Sequence, residues 1–289
     1  MSGHPLARMA IAILAVVAAV PELAAESGGA GSAQALRDRY AERKVDDASP
    51  FGIPLQLVSS QGDGALSGEI DSRLDHRFAD VREALRSPQR WCEIMILHPN
   101  VKGCRTLAGA DDAGKVEVKL GRAEHAVTFD FRIAAQSDDY LDVRLAAPRG
   151  PAGTTDYRIR VEATPLDADR TLLHLAYSHG FGMQSKLAMD AYFNTFGRDK
   201  VGFTVAGRDA LGRPRYVSDL RGGIERNAMR YYLAIRSYVE VLRQPAGTRL
   251  EQGLRKFIAY TERWPLQLKE ESDFLEVKRR DIARVRPLP

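Results

Sequence analysis

The stretch 127–133, VTFDFRI, decides the fold. Successive side chains of an extended chain point to opposite faces, so Val127, Phe129, Phe131 and Ile133 share one face and Thr128, Asp130 and Arg132 the other. The same period continues outward in both directions. Upstream, Val116, Val118 and Leu120 alternate with Glu117 and Lys119. Downstream, Leu141, Val143 and Leu145 alternate with Asp142 and Arg144, and Tyr157, Ile159 and Val161 with Arg158, Arg160 and Glu162. Leu172 to Ser178 closes the series. Asp111-Asp112, Gly121-Arg122, Ser137-Asp138, Gly150-Pro151 and Asp167-Ala168-Asp169 supply the turns. Each connection is too short for a helical crossover. Residues 101–179 therefore predict an antiparallel meander with one charged, wet face and one apolar face that must be covered.

Elements on either side supply the cover. Leu55 to Leu74 alternates around Gly62-Asp63-Gly64 and predicts a hairpin or a long bent strand. Helical spacing follows over 77–86, with Phe78, Val81, Ala84 and Leu85, and over 89–97 beyond Pro88. After the meander, a helix is expected over 184–196 and a short strand around 203–205. Gly222-Gly223 then precedes a strong helix over 224–242. Its stripe is Ala228, Tyr231, Tyr232, Ile235, Tyr238, Val239 and Leu242. Two more helices, near 249–264 and 268–285, flank Pro265. Residues 26–53 read mainly as a flexible linker, with a short helix over 33–44, and order is expected from Pro54.

The N-terminus has the parts of a signal peptide over residues 1–25. Arg8 precedes an apolar run of 12 residues, Met9 to Val20, and small residues reach Ala25, with Ala30 as a second cleavage point. The run is shorter than the roughly 20 residues that cross a bilayer, which favours a cleaved signal over an anchor. A periplasmic or secreted location follows. The 289-residue chain has a formal charge of +4 with both signs interspersed, which argues against a nucleic-acid platform. The most basic stretch, Lys278-Arg279-Arg280 with Arg284 and Arg286, is either a solvated helix face or a weak contact for anionic headgroups. Only two cysteines occur, Cys92 and Cys104. In an oxidising compartment they are expected to form a disulfide. A metal site with His98 is the rival, but it lacks a fourth ligand. No cofactor or metal is called for.

The segment 78–104, FADVREALRSPQRWCEIMILHPNVKGC, resembles the start of START-like domains, the Bet v 1-related helix-grip superfamily. Val81, Ala84, Leu85 and Trp91 stand where that family has its V..AL.....W pattern. The resemblance covers roughly 55–242 and identifies the chain as an exported, bacterial-type member. It implies an α+β helix-grip domain over 54–243, a curved antiparallel sheet wrapped around a long C-terminal helix. Residues 244–289 form a helical extension outside the family pattern. It also implies a hydrophobic small molecule or lipid held between sheet and helix. The lining would be Trp91, Phe129, Phe131, Leu145, Tyr157, Tyr177, Tyr231, Tyr232 and Tyr238, or these residues simply fill a core. An enzyme of the cyclase, aromatase or hydrolase kind on this fold would use His125 or His179, each on an apolar strand face, as acid or base. A third reading is an envelope interaction protein with a filled interior. No Gly-x-Ser-x-Gly elbow or phosphate loop is present.

Overall fold

The computed structural model describes residues 32–45, 49–109, 112–195, 197–262 and 274–283. The expected signal peptide, Pro265, Arg284 and Arg286 lie outside them. Period-two patterning gives strands β1 (Leu55–Gly62), β2 (Ala65–Leu74), β3 (Val101–Gly109), β4 (Ala113–Leu120), β5 (His125–Gln136), β6 (Leu141–Arg149), β7 (Thr154–Pro165) and β8 (Thr171–Phe181). They form one antiparallel sheet in the order β1-β2-β8-β7-β6-β5-β4-β3. The hairpin β1–β2 thus adds to the far edge of the meander, against β8.

One row of inward residues crosses six strands. Phe131 pairs with Leu145, Leu145 with Ile159, Ile159 with Tyr177, Tyr177 with Gly68, and Gly68 with Ser59. Helix α5 (Asp219–Val241) packs against this face of β1, β2 and β8. Gly68 marks the closest approach: a Cβ there would stand 3.0 Å from Ala228 Cβ and 3.4 Å from the Ile224 carbonyl oxygen. The helix starts five residues earlier than expected and contains Gly222 and Gly223. A Cβ on Gly222 would meet Gly202 N and Val217 O at 3.0 Å, and one on Gly223 the Phe193 ring at 2.7 Å. These glycines permit other segments to lie against the helix rather than stopping it.

Two short helices close one end of the sheet, α2 (Phe78–Leu85) and α3 (Pro88–Met95). Ser87 caps α3 by accepting from Arg90 N, and Pro88 sits in its first turn, where a missing N–H costs nothing. The disulfide Cys92–Cys104 joins α3 to β3 with a Cα–Cα distance of 5.3 Å.

The outer face of the sheet differs from the wet face expected. Helix α1 (Ala33–Arg43), inside the segment read as a linker, lies against β7, β8 and β2 with Leu36 buried. Beneath it, Asp71 and His174 pair at 2.7 Å, and Arg43 reaches Asp71 at 3.5 Å. Nearby, Arg144 and Arg160 bracket buried Asp142 at 2.9 and 2.8 Å, and the Tyr140 hydroxyl donates to Glu162. Charges that would have faced water are buried in pairs, the condition under which burial is tolerated.

Helix α4 (Met183–Asn194) and the hairpin β9 (Val205–Arg208), β10 (Pro214–Tyr216) form an insert between β8 and α5. Helices α6 (Ala246–Thr261) and α7 (Phe274–Ala283) follow α5. The α7 helix answers the expectation of a solvated basic stretch. Lys278 is fully buried and donates to the carbonyls of His98 and Val101 at 3.1 and 2.6 Å, and Arg279 is paired with Glu251 at 2.8 Å. Lys278 is thus turned inward, and Arg279 is engaged with Glu251 at the surface.

Candidate functional site

The inward side chains at one end of the grip are aromatic. Register between β7 and β8 shifts between Thr155 and Arg158, and Asp156 has φ 49° within that bulge. The bulge re-aims the strand at its rim. Tyr157 thereby stacks on His179, centroids 5.1 Å apart at an interplanar angle of 20°. Tyr157 also meets Phe129 edge-on at 6.4 Å, and Tyr177 at 6.4 Å. Tyr231 of α5 closes the group from above, 5.1 Å from Tyr177. His98, just past α3, lies 4.6 Å from Tyr231 on its other side.

Polar atoms in this group fall into two sets. The Tyr157 hydroxyl is 2.9 Å from Thr154 Oγ1, and His179 Nδ1 is 3.3 Å from the Gly180 carbonyl, to which it donates. By contrast, the hydroxyls of Tyr177 and Tyr231 take no hydrogen bond from any described residue, although the two residues are only 4% and 5% exposed. Burial drives both well above the ordinary tyrosine range, and the neighbouring tyrosines add to the effect. His98 Nδ1 accepts from Asn100 N at 3.1 Å, so the proton sits on Nε2, which is buried without a partner. Burial, reinforced by Arg230, Lys278 and Lys102, holds His98 well below 6.5, and burial also lowers His179. Both imidazoles are neutral at neutral pH.

Other residues expected to line the site are placed elsewhere. Phe131 and Leu145 are buried on the same inner face, farther along the row. Tyr232 and Tyr238 share α5 with Tyr231, but their hydroxyls turn to other side chains. Arg236 donates to Tyr232 at 3.5 Å. The Tyr238 hydroxyl accepts from Arg90 at 3.0 Å and donates to Glu93 at 2.5 Å. Trp91 donates from its indole to Leu85 O at 2.8 Å and belongs to the α2–α3 corner. His125 opens β5 and is exposed, outside the group. A separate open groove of about 380 Å³ runs along β3 and β4, lined by Lys102, Gly103, Cys104, Arg105, Glu117 and Lys119. It is not between sheet and helix. In the sequence His98 could be read only as a rival metal ligand beside the two cysteines or as helix-end structure. Its place beside Tyr231 depends on how α3 crosses α5, which no local pattern carries.

Strand hairpin, two short helices, meander and long helix appear in the chain in that order, with the sheet curved over the helix. The fold is a helix-grip, one antiparallel sheet curved over a long helix. No family model matches the chain, and no curated protein matches it. Similar solved structures include a STAR-related lipid transfer protein from Xanthomonas axonopodis, 14% identical with a TM-score of 0.41 over 64% of this chain and 93% of that one. A conserved protein from Geobacillus kaustophilus is 12% identical, with a TM-score of 0.37 over 60% and 95% of the two chains. Norcoclaurine synthase from Thalictrum flavum is 10% identical, with a TM-score of 0.34 over 50% and 80%.

Proposed function

We propose that this protein binds one hydrophobic small molecule or lipid in the aromatic end of the helix-grip, with the polar end of the ligand at Tyr177, Tyr231 and His98. One observation carries the reading. His98 Nε2 is buried without a protein partner, its ring against Tyr231, and the hydroxyls of Tyr177 and Tyr231 in the same ring group bond to no described residue. Leaving a buried group such as His98 Nε2 unpaired costs about 1–3 kcal/mol, and a ligand oxygen at this place would remove that cost. The rings of Phe129, Tyr157 and Tyr177 would take its apolar part. The rings touch one another here, so a guest enters by parting them.

Export to the periplasm or beyond belongs to the same reading and rests on residues 1–25. A catalytic reading has less support. His179 meets tyrosine rings and a carbonyl but no carboxylate among the described residues, and the histidine that does hold a carboxylate, His174, lies on the opposite face.

The test is native mass spectrometry with solvent extraction of protein purified from its own compartment, alongside thermal shifts against a panel of fatty acids and phospholipids. A bound apolar molecule is expected, and Tyr177→Phe with Tyr231→Phe should weaken it roughly tenfold by removing one net hydrogen bond's worth of orientation. Recovery of nothing, with no thermal shift from any member of the panel, would sink the proposal.

A further inference from the structure

Large exposed apolar side chains are concentrated in the insert between β8 and α5. Met183 is 83% exposed, Leu211 76%, Leu187 66% and Val205 52%, whereas outside the insert the highest values among the described residues are 39% for Leu166 and 37% for Leu107. Single exposed apolar residues are ordinary, but a cluster on one segment calls for an explanation. Met183 and Leu187 are one turn apart and share a face of α4. Leu211 is displayed at the tip of the β9–β10 hairpin. That tip is built rather than loose: Asp209 accepts from Leu211 N and Arg213 N at 2.9 Å and from Arg213 Nε at 2.7 Å.

The same segment is basic. Residues 182–218 hold six Lys and Arg against three Asp, so they contribute +3 of the chain's formal +4. Lys186 and Arg213 are paired with Asp190 and Asp209. No described carboxylate pairs with Arg198, Arg208 or Arg215, and all three are exposed, Arg208 donating to the Gly212 carbonyl at 2.8 Å. Apolar side chains standing out among unpaired cations match a bilayer surface with anionic headgroups, where the former enter the acyl boundary and the latter meet phosphate. A protein partner would call for a contiguous apolar face instead.

The insert is also held in place. Glu225 of α5, fully buried, accepts from Phe203 N at 2.6 Å, Thr204 N at 2.9 Å, Thr204 Oγ1 at 2.6 Å and Ser59 Oγ at 2.5 Å. Phe193 of α4 lies against Gly223 of the same helix, and Ser185 lies by Gly153, in the turn that leads into β7 and Tyr157. Both halves of the insert are thus tied to the end of the grip that carries the aromatic group.

We infer that this insert is a docking surface for an anionic lipid bilayer, with Met183, Leu187 and Leu211 entering the interface and Arg198, Arg208 and Arg215 meeting headgroups. It goes beyond the ligand reading and is tested without a ligand. The chain from residue 26 onward contains every described element and lacks the apolar run 9–20, which would bind membranes by itself. Delipidated protein of this span is sedimented with vesicles of phosphatidylglycerol and phosphatidylcholine, and with phosphatidylcholine alone. Binding to the anionic vesicles is expected. Arg198→Gln, Arg208→Gln and Arg215→Gln together should weaken it on the order of 100-fold. Met183→Ser, Leu187→Ser and Leu211→Ser together should weaken it more than about tenfold. All six sites are exposed, and unchanged melting temperatures would establish that both triple variants fold. Tyr177→Phe should leave vesicle binding intact, which separates this surface from the ligand site. Three outcomes would overturn the inference: no sedimentation with anionic vesicles, equal sedimentation of the serine variant, or a wild-type dimer in solution that the serine variant abolishes, since the face would then serve a second copy.

Discussion

His98 and Tyr231 lie ring against ring, 4.6 Å between centroids, where the end of α3 meets α5. The surroundings of the ring, not the tyrosine alone, hold the histidine neutral. Burial first, then Arg230, Lys278 and Lys102, hold its folded pKa well below 6.5. The unfolded chain therefore binds more protons than the native one as pH falls through 6.5, and stability falls with it. His179, lowered by burial, acts in the same direction. Urea unfolding midpoints should decline between pH 7.5 and 5. The gap between wild type and His98→Gln should narrow over that range, because the variant has no proton to exclude. A gap that stays constant with pH would contradict a neutral buried His98.

Glu225 gives a second prediction. Its carboxylate accepts four hydrogen bonds while fully buried. A glutamine puts an NH2 against at least one of those donors. Glu225→Gln should cost about 2–3 kcal/mol in urea unfolding. It should also speed hydrogen exchange at the Phe203 and Thr204 amides before any other described region. Exchange that rises uniformly across the chain would mean that Glu225 serves global stability and not the anchoring of the insert.

Much of this was legible in the sequence, for a physical reason. A strand with one buried face writes its burial into every second residue, so Phe129, Phe131, Leu145 and Tyr177 could be assigned inward without knowing their partners. Four things were not written that way. The α1 helix buries one leucine and docks through Arg43 onto Asp71, whose pairing with His174 spans over 100 residues. Gly222 and Gly223 read as lying just before the helix, although they are inside it and what decides their place is space for Val217 and Phe193. Lys278, in a run of cations, is fully buried because two carbonyls at the start of β3 await a donor. The α5 stripe shows that Tyr231, Tyr232 and Tyr238 are inward, but not whether each hydroxyl meets the sheet or the other helices. That depends on helix crossing, and it decides which tyrosine belongs to the candidate site.

The disulfide gives a third prediction. Cys92 and Cys104 are both buried and their bond closes a loop with a sequence separation of 12. By the chain-entropy account such a loop contributes about 3 kcal/mol. Cys92→Ala with Cys104→Ala, or reduction of the wild type, should lower unfolding free energy by about that amount. Labelling of both thiols in non-reduced protein from its own compartment would show that the bond does not form there.

The last prediction concerns the closest approach of sheet and helix. Gly68 faces Ala228, and a Cβ at 68 would be 3.0 Å from Cβ of the alanine, with the Ile224 carbonyl at 3.4 Å behind it. The first contact is tighter than nearly all packed Cβ contacts, so α5 would have to give by a few tenths of an ångström, and the Glu225 hydrogen bond to Ser59 of β1 resists that. Gly68→Ala should therefore destabilise by about 1–3 kcal/mol through overpacking. Ala228→Gly removes the opposing methyl. By itself it costs about 1 kcal/mol of helix propensity. If the two side chains collide, the double variant will be more stable than the sum of the single costs allows, with a coupling of at least about 0.5 kcal/mol. Strict additivity would mean that the sheet yields at Gly68, and that this position does not set the distance between sheet and helix.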